Sequence, residues 1–290
     1  MIDAHHHLWD LNAVHYPWLM AKGVSRFFGD PTPIQRDFLI TEFQAMAQAE
    51  GFTGSVHIQV GAESGLAEAQ WVDRIAQTHP DWPMVQVAFA DLTAPDLDDT
   101  LDQLQQLDSV RGIRQIVGRA PEEDAQTGTN ALINHPAFAE GLAELERRGL
   151  RFDLQLIPEF MADMAAVLAK TPALNVALCH AGSPYDRSAA GLAKWRDDLK
   201  PLAELPSVCC KISGLGMFDH DWTPDRLAPI IDGCLAAFGA HRAMVGSNFP
   251  VDSLYSDYKT LMTAFKTLIP QEAHQDVFGD TARRFYGMTD

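Results

Sequence analysis

The run VRGIRQI (Val110–Ile116) is followed by PAFAEGLAELERRG (Pro136–Gly149) and then by RFDLQL (Arg151–Leu156). These three read as strand, helix and strand. The outer two are short and β-rich. Pro136 opens the helix at a position where its missing N–H costs nothing, and Gly149 ends it. A strand, a helix and a second strand in this order form the unit of a parallel sheet with helices packed outside it.

The same unit recurs in both directions. Further strand-like runs lie at Ile2–His7, Gly54–Val60, Met84–Ala90, Leu174–His180, Val208–Ser213 and Ala243–Asn248. Helix signals fill most of the intervals. Thr41 with Gln44 forms a capping box before Phe43, Met46 and Ala47, with Gly51 as the stop. Leu97, Leu101, Leu104 and Leu107 fall three or four apart and paint one helical face. Thr223-Pro224 opens a helix that runs to about Gly239. Eight alternations without a linker or composition break predict an α/β protein: a (β/α)8 TIM barrel forming one domain over residues 1–290. A doubly wound sheet is the alternative, but no GxGxxG follows the first strand. Val117–His135 is too long for an idle connection and is expected at the barrel mouth.

Composition narrows the function. The 290 residues carry 22 Lys+Arg against 39 Asp+Glu, a formal net charge of −17, with 47% hydrophobic and 21% charged residues. This is a globular profile with a sizeable core. The acidic balance and the lack of a basic run argue against a nucleic-acid partner and against an anionic membrane surface. No apolar stretch reaches the roughly 20 residues of a membrane span. Met1–His7 has none of the parts of a signal peptide. Cys179, Cys209, Cys210 and Cys234 form no CxxC pair and are expected as reduced core thiols of a cytoplasmic protein. The partner expected is therefore a small molecule. Composition does not choose between a monomer and a homo-oligomer.

In such a barrel, catalysis belongs at the C-terminal ends of the strands. Residues two apart share a face, so His5 and His7 point one way and His6 the other. The other strand ends carry Gln59, Arg114, Gln155, His180, Lys211 with Ser213, and Asn248. A lone His180 would be read as a satisfied core histidine. Beside an inward HxH pair it becomes a metal-ligand candidate, since imidazole suits zinc. Arg114, facing inward, calls for an anionic partner. Lys211 could instead snorkel. Trp9, from the cluster Trp9, Tyr16 and Trp18, is the candidate substrate wall, with core packing as the alternative.

Taken together, Asp3-Ala4-His5-His6-His7 with Leu8-Trp9-Asp10, Tyr16-Pro17-Trp18-Leu19, Arg111-Gly112-Ile113-Arg114-Gln115, His180-Ala181-Gly182, Lys211-Ile212-Ser213-Gly214, Gly246-Ser247-Asn248-Phe249-Pro250 and Ala282-Arg283-Arg284-Phe285-Tyr286-Gly287 resemble the amidohydrolase superfamily in its amidohydrolase-related branch. Within it the chain is most similar to sugar-acid lactonases of the L-fuconolactonase and L-rhamnonolactonase type, and more distantly to 2-pyrone-4,6-dicarboxylate lactonases. The resemblance implies a barrel that hydrolyses a small lactone. Its metal site would take His5, His7 and His180. Gln155 on strand five and Asn248 on strand eight depart from the usual ligands, and asparagine has no basic site near neutral pH. One divalent metal, zinc by the donor chemistry, and a metal-independent reaction both stay open.

On this reading Arg114 and Lys211 hold substrate oxygens. His180 and Asn248 act at the reacting carbonyl or its water, and Gln59, Gln155 and Trp9 line the substrate. Two alternatives are a metal-dependent decarboxylase or hydratase of an aromatic or unsaturated acid, and a catalytically inactive ligand-binding barrel. Proton delivery to carbon in the decarboxylases leans on the strand-eight aspartate, which Asn248 replaces.

Overall fold

The computed structural model describes residues 1–288. Its eight strands are β1 Ile2–His6, β2 Gly54–Ile58, β3 Met84–Ala88, β4 Val110–Ile116, β5 Arg151–Gln155, β6 Val176–Leu178, β7 Val208–Ile212 and β8 Ala243–Val245. They pair in parallel, in sequence order, as one sheet. The sheet closes just beyond β8. Asn248 N–H donates to His5 O (2.7 Å) and His7 N–H donates to Phe249 O (2.8 Å). The Asp3 carboxylate reinforces the seam: Oδ1 accepts from the Ser247 N–H at 2.9 Å and Oδ2 from the Tyr258 hydroxyl at 3.1 Å. The two strands approach so closely there that a Cβ at Gly246 would stand 2.4 Å from His5 Cβ, so only glycine fits. The expected (β/α)8 barrel is the fold, and the last two residues of the expected 1–290 domain lie outside the described ones.

A helix follows each strand, and each strand is buried on both faces as a parallel sheet requires. Ile2, Ala4, Val56, Ile58, Val87 and Met244 fill the barrel interior, and Phe285 and Tyr286 of the C-terminal helix Thr281–Tyr286 plug its lower end. The larger apolar core lies between sheet and helices. Leu97, Leu101 and Leu104 form the buried face of the helix Leu97–Gln105, with Leu107 just past its end. The helices Pro136–Arg148 and Pro224–Phe238 begin and end as their proline and glycine signals predict.

Three expectations need correction. Thr41 and Gln44 do not cap: the helix already starts at Ile40, so Thr41 is inside it, and no side chain caps Leu39. The segment 117–135 is not plain loop, for it holds the helix Pro121–Thr127 and the 3-10 turn Thr129–Asn134. The strands β6 and β8 stop earlier than expected, because the residues after them leave the extended region. His180, Ala181, Ser183 and Asn248 all take positive φ, between 53° and 57°. Such backbone is rare for residues other than glycine and clusters at functional sites. Here it turns the chain at the barrel's upper rim.

No helix among the described residues is long and apolar enough to cross a membrane. All four cysteines are free and buried.

Candidate active site at the upper rim of the barrel

A cavity of about 410 Å³ opens at the C-terminal ends of the strands, with His7, Gln59, Arg114, Gln155, His180 and Asn248 in its wall. A neighbouring groove of about 520 Å³ shares Phe27, Arg119, Glu123, Gln155 and Met217 with it. The segment expected at the mouth is there: Arg119, Glu123, Thr129 and Leu132 line the cavity.

A break in the register of β1 between Asp3 and His6 places its histidines, so that Ala4 and His5 both face the interior. His6 points out of the barrel and stacks on Phe43, with ring centroids 3.8 Å apart. His5 and His7 point in. The His5 ring lies 4.5 Å from that of His180 and 5.1 Å from that of His7. All three are buried, and neither nitrogen of His5 has a hydrogen-bond partner. Ser213 Oγ lies 3.0 Å from His180 Nδ1. Gly214, at φ +61°, lets this turn pass: a Cβ there would stand 2.4 Å from His180 Nδ1.

Burial is the main force on these imidazoles. It drives His5 and His180 well below their ordinary range, helped for His5 by His180 and Lys211 and for His180 by Arg114 and His7. His7 is pushed down to about 3 by burial and then by Arg114. All three are therefore neutral near pH 7. They are poor proton acceptors but retain lone pairs. As they stand, no group of three or more His, Cys, Asp or Glu among the described residues is set to hold a metal ion.

Arg114 is anchored by neutral oxygens only. Nη1 donates to Gln59 O at 3.0 Å and Nη2 donates to Gln155 Oε1, while Nε is buried without a partner. Gln59 thus serves through its backbone, its own Oε1 accepting from the Gly61 N–H at 2.8 Å.

Asn248 stands between His7 and a buried acid. Its amide lies 3.2 Å from His7 Nε2 and 2.8 Å from an oxygen of Asp252. His7 Nδ1 lies 2.7 Å from Ile58 O, so Nδ1 carries the hydrogen and Nε2 presents a lone pair. In the structure Asn248 turns Oδ1 toward His7 Nε2 and donates from Nδ2 to Asp252 Oδ1. Because Nε2 presents a lone pair, exchanging the amide's oxygen and nitrogen would satisfy it, and Asp252, which burial pushes up to about 7, would then donate from its protonated form.

Two expected site residues stand elsewhere. Lys211 does not line the cavity. It is wholly buried below the histidines, with Nζ 2.5 Å from Asp153 Oδ2 and lying over the Tyr286 ring at 5.1 Å. The Tyr286 hydroxyl donates to the same carboxylate at 2.9 Å. An ammonium so neutralised has no reach to a substrate oxygen. Trp9 is also fully buried, donating from Nε1 to Arg36 O at 2.6 Å. It packs edge-on behind Trp18, 6.0 Å between ring centroids, and Trp18 is the aromatic wall. Sequence reasoning missed Arg26, Arg119 and Asp252. Arg119 lay in a segment already singled out for the mouth. Asp252 is one helical turn beyond Asn248, a spacing that could have pointed to it. Arg26 sits in a stretch without periodicity, and nothing local marks it.

The buried groups set an expected pH profile of stability. His5, His6, His7, His57 and His180 are all pushed below their ordinary 6.5. Between those depressed values and 6.5 the unfolded chain binds more protons, so the stability they contribute is lost as pH falls. Asp3, Asp252 and Glu68 are pushed up to about 6, 7 and 8. They act the opposite way, losing stability as pH rises from about 4 through those values. Near pH 5 five imidazoles outweigh three carboxyls. The melting temperature, followed by circular dichroism with chelator present, is expected to peak near pH 6.5 and fall on both sides, more steeply on the acid side. A melting temperature still rising between pH 7 and 9 would contradict this balance.

A family model described as amidohydrolase matches residues 2–288. The chain is 37% identical to an uncharacterized protein of Sinorhizobium fredii, over 99% of this chain and 98% of that one. It is 28% identical to an L-fucono-1,5-lactonase of Burkholderia multivorans, over 99% and 96%. Among solved structures, an amidohydrolase from Burkholderia multivorans with zinc bound superposes with a TM-score of 0.84 at 26% identity, covering 99% of both chains.

Proposed function

The chain belongs to the amidohydrolase family, and from that premise we propose that it is a hydrolase that opens a small lactone, of the sugar-acid type, by attack of water on the ring carbonyl. The observation that carries this reading is the wall of the cavity: neutral His7 and His180, the Asn248 amide, and Arg114 without a carboxylate counter-ion. Lactonase relatives of 28% and 24% identity over nearly the whole chain support it.

Each residue has a part that its surroundings define. Arg114, fixed by Gln59 and Gln155, holds the carbonyl oxygen as it gains negative charge, and then the carboxylate that ring opening creates. A preorganised donor of this kind is worth a few kcal/mol at the transition state. Asn248, oriented by Asp252, positions the attacking water. Asp252 is the acid of this set whose value falls near neutrality, the range that suits proton exchange at pH 7. The water oxygen bonds to the carbonyl carbon as the water gives up a proton, the ring C–O bond breaks, and the released alkoxide takes up that proton, leaving a hydroxy acid whose carboxyl ionises to solvent. An ester leaves more readily than an amide, so this site needs no strong acid in the wall.

Of the three inward imidazoles only His5 has both nitrogens free, and for a divalent cation to be held by all three Asn248 would have to release His7 Nε2. His5 buries two unpartnered nitrogens, a cost of about 1–3 kcal/mol that coordination would offset. His5, His7 and His180 would hold the ion, and zinc is the match for neutral imidazole. When bound it would supply Lewis acidity and ease ionisation of water. Four buried free thiols suit a reducing compartment, and we place the protein in the cytoplasm.

A pH-indicator assay over a panel of aldonolactones and pyrone lactones, on protein supplied with zinc, tests the reading. Hydrolysis of at least one well above the buffer rate is expected. Buffer rates with every member, from folded protein, would overturn it.

A further inference from the structure

Three guanidiniums meet in the cavity, and one carboxylate opposes them. Arg26, Arg114 and Arg119 all line it, and Glu123 is the carboxylate in its wall. Glu123 lies 3.6 Å from Arg119. Arg26 rests over the Trp18 ring at 5.6 Å, and Arg114 holds the neutral oxygens already described. Neither has a carboxylate within ion-pair distance among the described residues. Among the side chains that line the cavity three cations face one anion, a surplus of two lining charges on a chain whose formal net charge is −17; Asp124 behind the wall also attracts Arg119, and the adjoining groove carries Asp219 and Asp221.

That surplus is more than hydrolysis of a neutral lactone needs. Ring opening creates one carboxylate, and Arg114, deep in the wall and 7% exposed, is placed to receive it. Arg26 and Arg119 stand with the mouth segment, and Arg119 reaches into the neighbouring groove as well. Their charges are not consumed by the reaction, nor fully neutralised by the protein. Paired guanidiniums recognise planar oxyanions by forked hydrogen bonds. In a cleft with apolar walls such charges also focus the field on an incoming anion.

We infer that the substrate carries a fixed carboxylate besides its ring ester, and that Arg26 and Arg119 at the mouth bind it while Arg114 attends the reacting carbonyl. The substrate class is an acidic lactone, such as an aldaric-acid monolactone, in preference to a neutral aldonolactone. This rests on the lactonase reading, but the charge preference can be measured without turnover.

The test has two arms. In the first, kcat/KM is compared for an aldaric-acid monolactone and the aldonolactone of the same ring and stereochemistry, at 50 and 500 mM salt. The acidic lactone is expected to lead by at least tenfold at low salt, mostly through KM, with the ratio shrinking at high salt. Arg26→Gln and Arg119→Gln should each lower that ratio severalfold; Arg119 also donates to Thr129 Oγ1 at 3.2 Å, a bond for which Arg26 has no counterpart among the described residues, so the Arg26 variant guards against a folding defect in the other. In the second arm, calorimetry compares binding of benzene-1,3-dicarboxylate with its uncharged diamide. The dicarboxylate is expected to bind at least tenfold tighter, and less so in both variants. Hydrolysis of both lactones with a ratio near one, or equal binding of diacid and diamide, overturns the inference and leaves the lactonase reading intact. No hydrolysis of any lactone, with the diacid still preferred, overturns the lactonase reading and leaves an anion-selective cavity.

Discussion

Lys211→Ala is expected to destabilise the protein by about 3–5 kcal/mol, the scale set by removing one partner of a buried ion pair. Lys211 and Asp153 are both fully buried, 2.5 Å apart, and the removal leaves Asp153 with only the neutral Tyr286 hydroxyl and the Cys179 thiol. Water cannot reach the carboxylate to solvate it, so the charge is stranded. Replacing the whole triad by apolar groups, as Lys211→Met with Asp153→Leu and Tyr286→Phe, should recover most of the loss, because no buried polar atom is then left without a partner. Urea denaturation midpoints read both effects. A Lys211→Ala protein of near wild-type stability that binds substrate weakly would show instead that the ammonium works on the ligand.

The second large effect is on rate. His180→Ala is expected to lower kcat/KM by at least about a hundredfold, the scale of one lost electrostatic or proton-transfer group. His180 lines the cavity, its ring is pinned by Ser213, and its backbone is held at φ 54°. Truncation removes an imidazole whose ring lies 4.5 Å from that of His5 in the cavity wall. The cost in stability should stay below the 2–5 kcal/mol of truncating a large core side chain, since the lost contacts are to polar rings and a hydroxyl. Stopped-flow or steady-state hydrolysis, paired with the same urea titration, separates the two quantities. A folded His180→Ala enzyme with near-normal turnover removes His180 from the mechanism.

These two residues illustrate how far local sequence reaches. His180 and Lys211 both end a strand, both face inward, and both are polar where apolar residues are the rule. Sequence marks both, His180 the more strongly because of the inward HxH pair. The difference lies in what stands across the barrel. Lys211 meets Asp153, 58 residues away, and is neutralised. His180 meets His5 and a cavity. Trp9 and Trp18 divide in the same way, for which of two neighbouring indoles reaches the cavity depends on how the chain after β1 folds back over Val60 and Arg36. The pairing of Asn248 with Asp252 and His7 was equally hidden, since two of its three members are more than 240 positions apart.

The amino-acid sequence alone determined the barrel, the number and order of its strands, the limits of the two helices that a proline opens and a glycine closes, and the inward pair His5 and His7. Those follow from periodicity of two and of 3.6 and from proline and glycine signals, all of which act over a few residues. It did not determine depth along the barrel axis, charge neutralisation, or the gathering of Arg26, Arg114 and Arg119 at one cavity. Such matters are set by contacts between strands that meet only once the sheet has closed. There, burial decides which side chain is stranded, which is paired, and which is left free to meet a substrate.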